Sequence, residues 1–545
     1  MPLRTRTIAH SLTLVVLAAL AGCGGGSSSS PAPPPPPISQ AEAFQLLNQA
    51  TFGATEEDAQ SVIELEFESW IDEQLRQPAS LQLPHLQSLP RPPNLADLQG
   101  DRLDIWFRNV LNQPDQLRQR VAFALSEIMV VSELGALIQA PYGLASYYDM
   151  LARNAFGNFR DLMEEVTLHP AMGVYLSMLG NEKPNPALNI RPDENYAREL
   201  MQLFTIGLVE LNIDGTVVTD AVGKPIPTYS QEIIEGFAHV YTGWHYAGAP
   251  SFEEARRNDA NQTIPMQLYP AFHDTGPKTL LNGVTLPAGQ TGDEDLRDAL
   301  DNIFEHQNVG PFIATRLIER LVTSNPSPAY VSRVASTFND NGAGVRGDLG
   351  AVVKAILLDP EARSASGSEI GGKLKEPLLR LTQLWRAYDA TSGDGGYDFR
   401  IPNVIFGQGP LQSPSVFNFF SPFYAPPGEI RDAGYVAPEL QIATEFQNTL
   451  VTNFFFLQIF GLNSQSPGLA GSDIYIDIDE EVALGGDSDA LIDRVADKLL
   501  AGQISDPLRT EIRGMLELVP STDTVLRAAE AIYLVTSSPE FARQH

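Results

Sequence analysis

The stretch that decides the fold runs from Arg191 to Gly207 and reads RPDENYARELMQLFTIG. Pro192 suits the first position of a helix, because its locked φ fits there and its missing N–H would have had no partner. Gly207 is a natural end, since glycine tolerates the left-handed conformation that closes many helices. Most residues between them are apolar, so the stretch predicts a helix that is largely buried.

The polar residues of this helix recur at helical spacing and form one stripe, here called the seam: Asn195, Arg198, Glu199 and Gln202. Polar groups on a buried helix need partners. One interpretation is that Arg198 and Glu199 form salt bridges to another helix. The candidate partners are Arg118, Arg120 and Glu127. The other interpretation is that Glu199 is a general base or a metal ligand, with Arg198 orienting an anionic substrate.

A second candidate site is the pair His273-Asp274, which precedes a predicted hairpin and therefore lies in a loop. A histidine beside a carboxylate can supply acid–base chemistry or half of a metal site. Alternatively, Asp274 caps the local turn and His273 is a surface residue. Together with the seam, the candidate catalytic residues are Arg198, Glu199, His273 and Asp274. A divalent metal ion is the possible cofactor.

Composition excludes several classes of protein. The chain has 545 residues and a formal net charge of −31, so a nucleic-acid role is disfavoured, because phosphate contacts need clustered Lys and Arg. A single cysteine leaves no internal disulfide and no cysteine-based zinc or iron–sulfur site. The sequence also lacks the G-x-S-x-G, Walker and H-E-x-x-H motifs. The main support for a serine hydrolase, a P-loop enzyme or a common zinc protease is therefore missing.

The N-terminus predicts a lipid anchor. Arg4 and Arg6 precede a short apolar run over residues 12–20, which is too short to span a bilayer. The next residues, LAGC at 20–23, resemble the lipobox of bacterial lipoproteins. We therefore predict a signal peptide over residues 1–22 and acylation, including palmitate, on Cys23. Gly24, rather than Asp, follows the cysteine, which by the lipoprotein sorting pattern indicates the outer membrane.

Beyond the anchor, the chain divides into a tether and a helical body. Residues 23–38 contain GGGSSSSPAPPPPP, a flexible and then extended spacer. Residues 39–545 are predicted to be mainly α, a large multi-helix body with short β-hairpins and long loops, and residues 460–545 are a possible C-terminal helical subregion. The loop at 413–428, SPSVFNFFSPFYAPPG, either lines an aromatic ligand groove or packs over helices.

Several stretches of the body, taken in order, resemble one family. They are ATFGAT (50–55), WIDEQL (70–75), QLRQRVAFALS (116–126), ENYAREL (194–200), IPTYSQ (226–231), TGW (242–244), HD (273–274), KTL (278–280), GDL (347–349), PSVFNFF (414–420) and APELQI (437–442). The chain is similar to the large bacterial family of proteins with the domain of unknown function numbered 1800. The resemblance implies an exported, largely helical protein and no particular reaction. Such proteins are often encoded beside a second exported family, numbered 1501, which resembles the alkaline phosphatase and sulfatase group.

Two functions follow as hypotheses. The first is a membrane-tethered, non-catalytic lipoprotein of the cell envelope that binds or assembles a partner, such as an exported family-1501 protein. The alternative is a metal-assisted, hydrolase-like enzyme that acts on an envelope or extracellular polymer through the seam and His273-Asp274.

Overall fold

The regular structure is almost entirely helical, so the predicted mainly-α class is confirmed. The structure, a computed structural model, describes residues 37–364, 372–466 and 471–544. The predicted signal peptide, Cys23 and nearly all of the tether lie outside these residues. In the first half the α-helices are α1 (Gln40–Ala50), α2 (Glu56–Arg76), α3 (Leu83–Ser88), α4 (Leu98–Asn112), α5 (Gln116–Ser126), α6 (Pro141–Asn154), α7 (Phe159–Leu168), α8 (Pro170–Tyr175), α9 (Asn195–Glu199) and α10 (Gln231–Val240).

The second half continues the helical pattern. Its α-helices are α11 (Gly292–Phe304), α12 (Val309–Leu321), α13 (Pro328–Asn339), α14 (Leu349–Leu358), α15 (Pro360–Arg363), α16 (Pro377–Ala387), α17 (Pro402–Ile405), α18 (Glu429–Asp432), α19 (Glu445–Phe456), α20 (Asp479–Leu484), α21 (Ser488–Leu500), α22 (Asp506–Glu517), α23 (Thr524–Thr536) and α24 (Pro539–Ala542). Among the helices of the described residues, none combines the length and the apolar character that crossing a membrane requires.

The strands are short and form antiparallel pairs. They are β1 (Trp244–His245) with β2 (Gln267–Leu268), β3 (Lys278–Thr279) with β4 (Thr285–Leu286), β5 (Lys373–Leu374) with β8 (Arg543–Gln544), and β6 (Thr391–Ser392) with β7 (Ile474–Tyr475). The predicted Asn-Gly hairpin is confirmed: β3 and β4 are joined through Asn282 and Gly283, which both have the positive φ that this turn requires.

Local capping signals fix the starts of the first two helices. Ser39 accepts a hydrogen bond from the backbone N–H of Glu42, and the Glu42 carboxylate accepts the N–H of Ser39, so the predicted capping box opens α1. Thr55 caps α2 through the N–H of Asp58. Each cap satisfies an N–H group that has no partner inside its helix.

One continuous apolar core links these helices and positions the site described below. Trp106 of α4 lies edge-on to Phe52, with ring centroids 5.3 Å apart, and Phe123 of α5 packs against both. Helix α12 packs on α13, α14 and α5. The described residues from Ile38 onwards form one compact unit, in which α21 contacts α16, so the described helices after residue 460 belong to the same body.

The close contact of α10 with β3 gives a test of this packing. A Cβ on Gly236 would lie 2.0 Å from the carbonyl oxygen of Thr279, whereas a Cβ on the exposed helical residue Gly514 would meet nothing within 4 Å. We expect Gly236→Ala to lower the free energy of unfolding by about 1–3 kcal/mol or more, because the backbone must move. The control Gly514→Ala is expected to raise it by about 0.5–1 kcal/mol. Thermal and urea unfolding of both variants would measure this, and equal effects would contradict the packing.

Candidate functional site

The helix that carries the seam is shorter than the sequence predicts. It begins at Asn195 rather than at Pro192, and Asp193 precedes it, accepting the N–H of Asn195 at 2.8 Å. After Glu199 the chain continues as a π-helical segment, Leu200–Thr205. The predicted end is confirmed, because Gly207 has a φ of 74°. Since a π-turn holds more residues than an α-turn, Gln202 leaves the stripe that α-helical spacing assigned to it.

The predicted burial of this segment is confirmed, although the seam is not buried throughout. Tyr196, Leu200, Met201 and Phe204 are buried. Arg198 remains 40 % exposed and pairs with a residue of its own segment, since its Nη2 lies 2.9 Å from the Glu194 carboxylate. It therefore does not form the predicted salt bridge to another helix.

Glu199 is the buried member of the seam. Its side chain is almost fully covered, and within the described residues its Oε2 has no hydrogen-bond partner. Burial raises the pKa of Glu199, and the nearby charge of Arg198 opposes this. The hydroxyl of Tyr229 also lacks a partner, and burial together with the charge of Glu199 raises the pKa of Tyr229 to about 12. Glu199 is thus a carboxylic acid that is largely removed from water.

The three predicted partners of the seam have other roles. Arg118 donates to backbone carbonyls, including those of Gln77 at 3.0 Å and Ala152 at 3.1 Å. Arg120 donates to the backbone carbonyl of Arg320 at 2.6 Å. The predicted ion pairs of Arg118 and Arg120 with the seam are therefore wrong. Arg118 donates to several backbone carbonyls, whereas Arg120 donates to one, and within the described residues its Nε and Nη1 have no hydrogen-bond partner.

His273 is a buried structural residue. Its Nδ1 lies 3.0 Å from the carbonyl oxygen of Thr242, and its Nε2 lies 2.9 Å from the Asp295 carboxylate. Asp295 also forms a salt bridge with Lys278, whose Nζ lies 2.6 Å from Oδ2 of Asp295. The alternative that His273 is a surface residue is wrong, because its side chain is 1 % exposed.

Asp274 holds a turn and contacts a histidine that the sequence did not pair with it. Its Oδ1 accepts the N–H of Gly276 at 2.7 Å, as expected for a turn cap. Its Oδ2 forms a short hydrogen bond with Nδ1 of His239, at the end of α10. The hydrogen bond from His239 lowers the pKa of Asp274 to about 2. Both side chains remain partly exposed, so this His–Asp pair is open to solvent.

The seam and the His273-Asp274 pair therefore make separate sets of contacts. Arg198 reaches Gln231 at the start of α10, whereas Asp274 reaches His239 near its end. Those two α10 residues are roughly 12 Å apart along the helix axis. Within the described residues, no three His, Cys, Asp or Glu side chains are grouped so that they could hold a metal ion.

A further candidate site is a cavity of about 630 Å³, here called the aromatic cavity. One wall is the π-helical segment with Gln202, another is α12 with Phe312, and a third is the loop 413–428 with Phe417 and Phe423. The loop packs into the body through Phe420, which is buried, while Phe417 and Phe423 line the cavity and remain exposed. Its role as a ligand groove stays a prediction. Cavities with apolar walls and a few converging polar groups are typical binding sites.

The floor of the aromatic cavity is polar and comes from three distant segments. Glu127 follows α5, Arg320 belongs to α12, and Asn418 lies in the loop. The Glu127 Oε2 is 3.7 Å from Arg320 Nε, and within the described residues it accepts no hydrogen bond. Asn418 has a φ of 67°, and its side-chain oxygen has no hydrogen-bond partner in the part of the chain that the structure describes. A strained backbone and unpaired buried polar atoms are features that functional sites retain.

Behind the floor lies a buried network of charges centred on Glu376. The Glu376 carboxylate is 2.9 Å from Lys373 Nζ, and Lys373 is 3.1 Å from Glu439. The Gln408 side chain bridges the two acids, donating to Glu376 at 2.5 Å and to Glu127 at 3.0 Å. This network contains four chain segments that are far apart in sequence, which is why sequence reasoning missed it.

The two bridged acids have opposite pKa shifts. Burial, and then the negative charge of Glu376, raise the pKa of Glu127 to about 8. Burial alone would also raise the pKa of Glu376, but Lys373, Arg120 and Arg320 lower it to about 2. Near neutral pH, Glu376 is therefore the ionised acid and Glu127 carries a proton. The floor of the aromatic cavity thus presents a neutral acid that can donate a hydrogen bond.

This assignment predicts a pH-dependent stability. In the unfolded chain Glu127 loses its proton near pH 4.5, so between about 4.5 and 8 the folded state binds more protons and its stability falls as pH rises. The Glu127→Gln variant has no titratable group at this position, so it lacks this fall in stability with rising pH. We expect its free energy of unfolding, relative to wild type, to rise by up to about 1.4 kcal/mol per pH unit across that range. Urea unfolding at pH 5, 6.5 and 8 would measure it.

Glu376→Gln is the matched control for that experiment. It leaves Lys373 and Arg120 short of a buried counter-ion, so we expect a loss of about 3–5 kcal/mol at pH 5. The loss should lessen as pH rises, because Glu127 ionises more readily without the negative charge of Glu376. A difference between Glu127→Gln and wild type that stays constant with pH would contradict the assignment of the proton to Glu127.

The comparisons with known proteins identify one family. The family model described as a protein of unknown function (DUF1800) matches residues 45–543, which is nearly the whole helical body. Searches of curated proteins and of solved structures returned no match. The match spans the seam, the aromatic cavity and the buried charge network without a break. The chain therefore belongs to the DUF1800 family.

Proposed function

We propose that the protein is an exported lipoprotein, held at the outer membrane through Cys23, that binds a partner protein without catalysing a reaction. The support for the anchor is the order of charge, apolar run and LAGC at residues 20–23. The Gly/Ser/Pro-rich spacer up to residue 38 supports a tethered body, because such a sequence holds a folded unit away from the membrane surface.

The observation that carries the binding role is the exposed apolar rim of the aromatic cavity. Leu208, Val217, Phe417 and Phe423 line the cavity and remain 43–75 % exposed. Apolar side chains that converge around a cavity mouth mark interaction sites, and aromatic residues are enriched at the centres of interfaces. A space of about 630 Å³ accommodates several side chains. We therefore propose that an apolar segment of the partner enters the cavity.

The polar floor would orient that segment. Protonated Glu127 can donate a hydrogen bond, and the unpaired Asn418 oxygen can accept one. A peptide group or a side-chain amide offers both an acceptor and a donor, so it satisfies the two residues at once. The partner that the family resemblance suggests is an exported family-1501 protein, since such proteins are often encoded beside members of this family.

Substitutions at the rim test this function. We expect Leu208→Ser and Phe423→Ser each to weaken binding of the purified family-1501 neighbour at least about tenfold, because each removes an apolar contact at the centre of the interface. The matched control is Leu518→Ser, which changes a residue that is 79 % exposed and lies outside the cavity. Biolayer interferometry would give the dissociation constants. Equal affinities for wild type, both rim variants and the control would refute the proposed surface.

A second candidate function is a metal-assisted, hydrolase-like enzyme acting on an envelope polymer. The observation that favours it is the solvent-accessible contact between His239 and Asp274, since a His–carboxylate pair can hold part of a metal site or move a proton. Arg198 and Glu199 would belong to a separate region of such an enzyme, because Arg198 contacts the opposite end of α10.

Metal analysis distinguishes this candidate. If it holds, the purified protein retains a divalent metal ion, and Asp274→Asn lowers the bound metal at least about tenfold while keeping the turn, because an amide oxygen still accepts the N–H of Gly276. Asp214→Asn is the matched control, since Asp214 caps a similar turn through Thr216. Equal metal content in both variants, measured by inductively coupled plasma mass spectrometry, would eliminate a metal site at Asp274.

A further inference from the structure

A second cavity, of about 470 Å³, lies between α1 and the segment that follows α21. It shares no lining residue with the aromatic cavity. Its apolar surface includes Phe44 of α1, Leu499 of α21 and Ile504 in the following loop. The one lysine among its lining residues is Lys375, which follows β5.

Lys375 is buried beside neutral partners. Its Nζ donates to the side-chain oxygen of Gln383 and, at 3.2 Å, to the backbone carbonyl of Phe541. The amine also lies 4.8 Å from the centre of the Phe541 ring. Within the described residues, no carboxylate oxygen lies within 4 Å of this amine. Its charged form therefore has no direct counter-ion to offset the cost of burial.

The neighbouring Lys373 differs from Lys375 in having carboxylate partners. Lys373 is equally buried, but its Nζ forms ion pairs with Glu376 at 2.9 Å and with Glu439 at 3.1 Å. Those two carboxylates stabilise its charge. Lys375 has no such pair, and burial together with the positive charge of Arg380 lowers the pKa of Lys375 to about 7. The two lysines, separated by one residue, therefore differ in chemistry.

We propose that Lys375 is a nucleophilic amine that captures a small aldehyde or ketone with an apolar tail in this second cavity. The Nζ lone pair attacks the carbonyl carbon and forms a C–N bond, while a proton moves to the carbonyl oxygen. Loss of water from this carbinolamine leaves an imine, with no oxidant or reductant consumed. Phe44, Leu499 and Ile504 would cover the tail, since they form the apolar wall.

The charged groups around the amine come from four elements. Arg380 lies on α16 and disfavours the ammonium form. Glu42 of α1, Glu540 of α24 and Arg543 of β8 line the same cavity. Glu42 accepts hydrogen bonds from Ser39, and Glu540 accepts them from Ser505, so both carboxylates are engaged elsewhere. The cavity therefore offers Lys375 no free carboxylate, and its amine loses its proton at a lower pH than an exposed lysine does.

Reductive labelling tests this site on the full-length protein. The protein is treated briefly at pH 7 with hexanal and cyanoborohydride, and modified lysines are located by peptide mass spectrometry. An exposed lysine is neutral in about one molecule in 2,500 at pH 7, whereas an amine with a pKa near 7 is neutral in about half. We expect Lys375 to be labelled at least about tenfold faster than the exposed Lys224. Its labelling rate is expected to level off above about pH 8.

Two controls make the result decisive. Lys375→Arg should abolish the fast labelling, and Lys224→Arg should leave it unchanged. Unfolding in urea should equalise the two rates, because the selectivity depends on the folded cavity. Labelling of Lys375 no faster than that of Lys224 would overturn the proposal. Equal rates with hexanal and with the polar glycolaldehyde would overturn the proposed preference for an apolar tail.

Discussion

The buried ion pair between Glu376 and Lys373 is the interaction on which the candidate site depends. Removing two charges from water is costly, and such a pair persists only when further groups complete its environment. Arg120 from α5, Arg320 from α12 and Glu439 provide these groups. The requirement therefore ties together segments from four parts of the chain. The charge network also forms part of the aromatic cavity, because Arg320 belongs to the network and lines the floor of the cavity.

The same network sets the protonation of the floor. The cations nearest to Glu376 stabilise its negative charge, and that negative charge opposes ionisation of Glu127. The Gln408 side-chain amide donates a hydrogen bond to both acids, of which only Glu376 is ionised near neutral pH. A cavity that meets the outside through Phe417 and Phe423 thus ends in a neutral hydrogen-bond donor rather than in an anion. Such a floor suits an amide better than a cation.

The sequence allowed the fold to be predicted where the signals are local. Ser39 with Glu42, and Asn282 with Gly283, determine their own structures through contacts within a few residues. The candidate site was not predictable in this way. Glu127 gains its role from Gln408 and Arg320, nearly 300 and 200 positions away, and no periodic pattern encodes such contacts. The seam was misassigned because α-helical spacing cannot reveal a π-helical segment, which directs Gln202 to the aromatic cavity.

A general rule separates the buried ionisable groups that support the fold from those that are available for function. Glu376 and Lys373 each have direct counter-ions, so their charges are used within the protein. Glu127 and Lys375 are also buried and also line cavities, yet no strong ion pair stabilises their charged forms. Burial then favours a neutral acid in one cavity and a neutral amine in the other. A neutral acid on a cavity wall can donate a hydrogen bond to a ligand, and a neutral amine can donate its electron pair. Function is therefore expected to reside at these two residues.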